Sequence, residues 1–209
     1  FIFVHFLIFS TNPVGFEYLL NYHKNRGFEI ESVYAGVFML LPIQQMSRVF
    51  SFGSMNITFP GVEKLLVFPL ILVLSGIGWV YWKFYKSKSN TWEEAVRFCV
   101  LALIWFVAFN KVFSVQFLIW FLPLVRLLKL EVKKQQLVDI LLIAISLVGT
   151  YIFPLGWNNL LQNQYEMGIL VCLKNLLVLV IFTIIFKNTG NLVVKDGLPS
   201  KNLRQAELK

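Results

Sequence analysis

Two short segments concentrate the residue types that could handle an anionic substrate. The first, Tyr22-His23-Lys24-Asn25-Arg26-Gly27-Phe28-Glu29-Ile30-Glu31-Ser32, packs a histidine, an arginine and two carboxylates between apolar blocks. Arginine offers a rigid fork of donors that matches a phosphate, and histidine adds a donor near neutral pH. Glu31 and Ser32 also precede an apolar run, so either can serve as a helix cap, and the stretch reads equally as an ordinary polar loop. The second segment is Asn110-Lys111-Val112-Phe113-Ser114-Val115-Gln116. A lone lysine beside Asn110, Ser114 and Gln116 suits a phosphate or sugar contact. Two plainer readings stand beside it: Ser114 as the N-cap of the next helix, and Lys111 snorkelling to lipid phosphates.

A third feature is Lys174-Asn175, set in the middle of an apolar run. A charge at that depth of a bilayer costs about 2.5–3.5 kcal/mol on insertion scales, so Lys174 requires an interior partner or an aqueous cavity. Arg97 and Asp139 lie nearer the ends of apolar runs, where snorkelling accounts for them. Glu29 and Glu31 are two positions apart and would diverge on a helix, so no paired-acid hydrolase is indicated. The chain has no phosphate-binding glycine loop, no His-Glu-x-x-His, no Cys-x-x-Cys and no Gly-x-Ser-x-Gly. Cys99 and Cys172 sit inside apolar segments, as helix-interface residues do. The aromatic runs Trp79-Val80-Tyr81-Trp82 and Trp120-Phe121 suit an interfacial belt.

The elements that must position these residues follow from composition. Of 209 residues, 57% are hydrophobic and 14% charged, whereas soluble domains run near half apolar and a quarter charged. The apolar residues fall in blocks near the roughly 20 residues a bilayer-spanning helix needs. The fold class expected is therefore all-α, a polytopic helical membrane protein. Five spans are expected, at Val62–Tyr85, Glu93–Phe109, Phe113–Leu128, Val138–Leu155 and Gly168–Phe186. Ser32–Ser47, interrupted by Pro42, is a short span, a re-entrant segment or a broken helix. A short amphipathic helix over 14–22, a loop over Arg48–Gly61 and a cut helix over Phe1–Phe9 complete the pattern. Residues 1–187 then form one transmembrane module, and 188–209 a polar, basic cytoplasmic tail.

The formal net charge is +8, but the cations lie in short segments between apolar blocks, which makes anchoring rather than nucleic-acid binding their role. Lys83, Lys86 and Lys88 follow the first span, Arg126, Lys129, Lys133 and Lys134 the third, and Lys187 the last. All three clusters fall on one side if the five segments cross. The opposite side carries only Arg48 and Lys111 in residues 48–61, 108–113 and 156–164.

Taken together, Tyr-His-x-x-Arg-Gly-x-x-x-Glu-Ser at 22–32 and Lys-x-Phe-Ser-x-Gln-Phe-x-x-Trp-x-x-Pro at 111–123 resemble a known pattern. It is that of the polyprenyl-phosphate-sugar-dependent integral-membrane glycosyltransferases, in particular the alpha-mannosyltransferase-like group called glycosyltransferase family 87. The pattern maps onto Tyr22, His23, Arg26, Gly27, Glu31 and Ser32, and then onto Lys111, Phe113, Ser114, Gln116, Phe117, Trp120 and Pro123. One departure is Val115, where the family commonly has proline. The resemblance covers residues 10–130; the rest matches only as further hydrophobic helices.

The resemblance implies a bacterial or archaeal cell-membrane enzyme. Such an enzyme transfers a hexose, commonly mannose, from a polyprenyl-phosphate donor to a lipid or glycan acceptor, with inversion. It further implies that Tyr22, His23, Arg26, Glu31, Asn110, Lys111, Ser114 and Gln116 bind substrate. Its catalytic acid would lie upstream of residue 1, so neither Glu29 nor Glu31 is nominated and the fragment alone would be inactive. A divalent metal is conceivable in the full-length enzyme, but this sequence has no ligand set for one. The rival reading is a transporter or flippase with Lys174 lining a substrate path. The transferase reading requires Arg26 and Lys111 to converge although 85 positions separate them.

Overall fold

The computed structural model describes residues 10–87, 91–162 and 165–188. The cut helix expected at Phe1–Phe9 and nearly all of the tail expected at 188–209 lie outside them. The described chain is 75% helical with one small sheet, as the apolar periodicity requires.

Helix α1, Pro13–Asn25, starts where Asn12 accepts a 2.9 Å bond from the Gly15 amide and Pro13 supplies a preset φ. Strand β1, Phe28–Glu29, follows. Helix α2, Val33–Leu40, is capped by Ser32, whose Oγ accepts from the Ala35 amide at 3.3 Å. Ser32 is thus the cap. Strands β2, Ser47–Ser51, and β3, Ser54–Thr58, form a hairpin where a loop was expected over Arg48–Gly61. Its turn places Phe52 and Gly53 at φ +53° and +72°, the mirror-image geometry that tight hairpins favour. The sheet order is β1-β3-β2, all antiparallel, with Phe28 opposite Ile57 and Ile57 opposite Arg48.

The helical body comprises α3 (Phe68–Ser87), α4 (Trp92–Phe109), α5 (Leu118–Arg126), α6 (Val132–Thr150), α7 (Trp157–Leu161) and α8 (Tyr165–Lys187). Among the described residues, three segments are long and apolar enough to cross a membrane: Val62–Ser87, Val132–Leu155 and Tyr165–Lys187. Of the five expected spans, Val62–Tyr85, Val138–Leu155 and Gly168–Phe186 fall within these three, and Phe113–Leu128 is corrected. Helix α4 has 18 residues, but its first two turns carry Glu93, Glu94 and Arg97. Helix α5 has nine residues, about 14 Å at 1.5 Å per residue, too short to cross. A 3-10 turn at Val115–Phe117 precedes it and Pro123 withdraws an amide donor within it. Helix α2, at eight residues and about 12 Å, cannot cross either.

Contacts fix the directions of these short helices. Asn175 reaches the Glu31 carbonyl just before α2, Gly36 lies against Val171 and Cys172, and Met39 against Gly168. Helix α2 therefore runs antiparallel to the first half of α8 and covers only that half. Helix α5 starts just after Phe113, whose carbonyl lies near Lys174, and leads to Lys129, which bonds Glu93 at the start of α4. It therefore runs from the level of Lys174 toward the charged end of the bundle.

Small residues allow this approach. A Cβ on Gly36 would sit 2.9 Å from both Cys172 Sγ and Val171 Cγ1. Gly36→Val is accordingly expected to prise α2 from α8 and to cost about 1–3 kcal/mol, as overpacking does. Thermal unfolding in detergent reads this, with Gly53→Ala as a contrast: no heavy atom lies within 4 Å of its would-be Cβ, though its positive φ carries its own smaller strain.

The basic ends gather at one end of the bundle, in agreement with the charge bookkeeping. Lys129 meets Glu93 at 2.7 Å, Arg126 meets Asp139 at 2.9 Å, and Lys134 bonds the Asn188 side chain at 2.7 Å. Arg97 does not snorkel as expected. It is 1% exposed, pairs with Glu94 at 3.2 Å and donates to the Asn188 carbonyl at 3.1 Å.

Candidate functional site

Three stretches distant in sequence meet between α2 and α5, beside the middle of α8. Lys174 lies nine residues into α8 from Tyr165, about 14 Å along a helix that continues for 13 more residues. Its ammonium donates to Glu31 Oε2 at 2.9 Å and to the Phe113 carbonyl at 3.4 Å, and stands 4.6 Å from the centroid of the Phe113 ring. Glu31 is held on every side: Oε1 accepts from Ser114 Oγ at 3.0 Å and its backbone carbonyl from Asn175 at 3.2 Å. Neighbouring Glu29 accepts from the Phe113 amide at 3.3 Å, while its own amide donates to the Lys111 carbonyl at 2.9 Å. Residues 110–113 thus lie along the edge of β1 that β3 leaves free.

This answers the interior charge. Lys174 is 0% exposed and has the buried partner that its depth demanded. Ser114 does not cap the helix that follows it; its hydroxyl serves Glu31.

One face of the same junction opens into a cavity of about 260 Å³ lined by His23, Arg26, Asn110 and Lys111, with Phe106, Val107, Val112, Phe117 and Trp120 completing it. Arg26 and Lys111 therefore converge, as the phosphate reading required. Lys111 Nζ donates to the Lys24 carbonyl at 3.2 Å, tying the two segments directly. The Arg26 guanidinium lies 5.9 Å from the centroid of the Tyr22 ring, and Tyr22 is itself anchored by a 2.8 Å bond to the Phe52 carbonyl at the hairpin tip. Arg26 Nε is buried and has no hydrogen-bond partner. Among the described residues no Asp or Glu lines the cavity or pairs with Arg26 or Lys111.

The expected substrate-binding residues divide accordingly. His23, Arg26, Asn110 and Lys111 line the cavity, and Tyr22 supports Arg26. Glu31 and Ser114 belong to the buried network, one layer away. Gln116 is exposed in the 3-10 turn and lines neither. The sequence reading missed Glu29 as a member of the network and Phe106 as part of the cavity wall. Glu29 lacked a helix period to place it, and Phe106 is one aromatic among many on α4.

The electrostatics are those of a cation-rich recess beside an acid-rich interior. Burial, and next the Arg26 charge, lower the Lys111 amine to about 8. Burial, and next the Glu31 carboxylate, push Glu29 up to about 8, with Lys174 opposing the rise. An acid whose pKa is raised on folding stabilises the fold most below its unfolded value near 4.5, and loses that contribution as pH rises through 8. Detergent-solubilised protein is thus expected to lose stability between pH 5 and pH 8. Glu29→Gln should flatten that slope, which thermal unfolding across the pH series would read.

No group of three or more His, Cys, Asp or Glu is placed to hold a metal among the described residues. A cavity lined by Arg26, Lys111 and His23 does not fit a divalent cation. An anion fits instead: cations from two segments converge on it, and the aromatic wall of Phe106, Phe117 and Trp120 suits an attached apolar chain. No protein-family model, curated protein or solved structure matches the chain.

Proposed function

We propose that this chain is the membrane-embedded part of a glycosyltransferase that takes a hexose, mannose by preference, from a polyprenyl-phosphate donor and passes it to a lipid or glycan acceptor. The observation that carries the reading is the cavity in which Arg26, Lys111 and His23, from segments 85 positions apart, face one space that no carboxylate lines among the described residues. The donor phosphate occupies that space and its prenyl chain runs along the aromatic wall. As the bond from sugar to phosphate breaks, negative charge accumulates on the leaving phosphate. Fixed cations in a partly dry site stabilise that charge more than water does. Asn110 offers a neutral contact to phosphate or sugar, and a base elsewhere in the full-length protein takes the acceptor proton.

The transport reading asked Lys174 to line a path. Lys174 is instead fully buried on Glu31, which favours the transferase. Incubating the full-length protein in membranes with polyprenyl-phosphate [14C]mannose separates the two. Label appearing in a lipid or glycan fraction supports the proposal. Counterflow of a sugar phosphate in proteoliposomes without any transfer would overturn it.

The same proposal makes the chain a multi-pass protein of a bacterial or archaeal cell membrane, with its basic end inside. Cysteines introduced at the exposed positions Asn159 and Lys133 are then expected to react with an impermeant maleimide from opposite sides. Reaction of both from one side would refute this topology.

A further inference from the structure

We infer that Lys174 is the positioning residue of the cationic recess: by pairing with Glu31 inside the bundle it sets the spacing of the two segments that carry Arg26 and Lys111. The inference rests on the phosphate-site reading above and extends it to residues that touch no substrate.

The connections are short and directional. Arg26 stands three residues before Glu29, and Lys111 two residues before Phe113. Glu29 bonds both the Lys111 carbonyl and the Phe113 amide, so the two cation-bearing segments are stitched together at this point. What holds the stitched pair against the helical body is the next layer. Glu31 is grasped by Lys174 at 2.9 Å and by Ser114 at 3.0 Å, its carbonyl by Asn175 at 3.2 Å, and Lys174 also reaches the Phe113 carbonyl at 3.4 Å. One ammonium therefore touches both segments at once, from a helix that belongs to neither. Little regular structure lies at the point of contact itself: β1 is two residues long and paired only with β3, and residues 110–114 are neither helix nor strand. Without the charge at Lys174 the spacing between Arg26 and Lys111 would rest on the Lys24 carbonyl contact, the two Glu29 bonds, the Ser114 bond to Glu31 and the bond from Tyr34 to the Phe109 carbonyl. Two repelling cations would oppose even that.

Distance measurement tests this without any ligand. Nitroxide labels are placed on cysteines at Asn25 and Gln116, both exposed and outside the cavity lining, in the full chain with Cys99 and Cys172 changed to alanine. The parent should give one narrow interlabel distribution by pulsed dipolar spectroscopy. Lys174→Met is expected to broaden it and to weaken binding of a short-chain polyprenyl phosphate about tenfold. Because a lone buried carboxylate can also unsettle the fold, the double variant Glu31→Gln/Lys174→Met carries the decision. Its buried charges are both removed, so its melting temperature should recover, while the distribution stays broad and the binding weak. A narrow distribution in the double variant would show that packing alone sets the spacing, and would overturn the inference. Should the parent bind no polyprenyl phosphate, the proposed function falls, and the distance distributions still decide the role of Lys174.

Discussion

Lys111→Ala and Arg26→Ala in the full-length protein are each expected to lower polyprenyl-phosphate affinity or turnover by about 10- to 100-fold, with expression and melting temperature near those of the parent. Each cation contributes about 1.5–3 kcal/mol if it makes a charge-assisted hydrogen bond to the phosphate, and about 1.4 kcal/mol is tenfold. Both side chains line the same cavity, so the double variant should depart from additivity, because each single change already weakens the field the other acts in. Retained folding is expected because neither side chain has an acidic partner among the described residues to leave unpaired. A pH signature accompanies the loss. Burial and Arg26 hold the Lys111 amine near 8, so its positive charge fades as pH rises past that value. Affinity for the phosphate should fall between pH 7 and 9 in the parent. Lys111→Arg, which stays charged, should flatten the profile. Isothermal titration with a short-chain polyprenyl phosphate reads both effects.

Glu31→Ala should give a large loss of stability, about 3–5 kcal/mol. The substitution leaves the Lys174 ammonium fully buried with the Phe113 carbonyl and ring and the nearby Glu29 carboxyl but no direct carboxylate partner, and it removes the acceptor of Ser114 Oγ, while Asn175 keeps its bond to the backbone carbonyl of residue 31. Lys174→Met should cost somewhat less, since an abandoned Glu31 can take up a proton. The pair Glu31→Gln/Lys174→Met should recover most of the loss, because removing both buried charges avoids the desolvation that either one suffers alone. Melting curves of the three variants in one detergent settle the order.

Much of this architecture is legible in the sequence where a single physical constraint dominates. Tyr165–Lys187 is apolar along nearly its whole length, and only a helix could bury its backbone in a bilayer. Lys174 announces by its depth that a partner exists. That the partner is Glu31, 143 positions away, is not legible, because nothing local links them. The Ser32 cap follows from its place before an apolar run. Ser114 occupies the same kind of position and does otherwise, since Glu31 competes for its hydroxyl.

Hydropathy is ambiguous elsewhere. Residues 113–128 are apolar enough to read as a span, yet they begin at the interior site rather than at a surface, so only a half-length helix remains. The hairpin of Ser47–Thr58 lacks the Asn-Gly or Asp-Gly signature of a tight turn. It carries Phe52-Gly53 instead, and Phe52 adopts a positive φ that its sequence does not advertise. Arg97 lies near the end of an apolar run, where snorkelling is the ordinary expectation. The Asn188 carbonyl and Glu94 keep it inside. The convergence of Arg26 with Lys111 was legible only through the pairing of two motifs, and the structure brings them to one cavity.

Photo-crosslinking tests the central claim, that this recess holds a polyprenyl phosphate, most directly. A short-chain polyprenyl phosphate bearing a diazirine near the phosphate is irradiated with the full-length protein, and modified peptides are mapped by mass spectrometry. Crosslinks are expected in residues 22–32 and 106–120. Excess polyprenyl phosphate should compete them away, the uncharged polyprenol should not, and the Arg26→Ala/Lys111→Ala variant should lose them. Crosslinks that polyprenol displaces equally well, or that persist unchanged in the double variant, would contradict the claim.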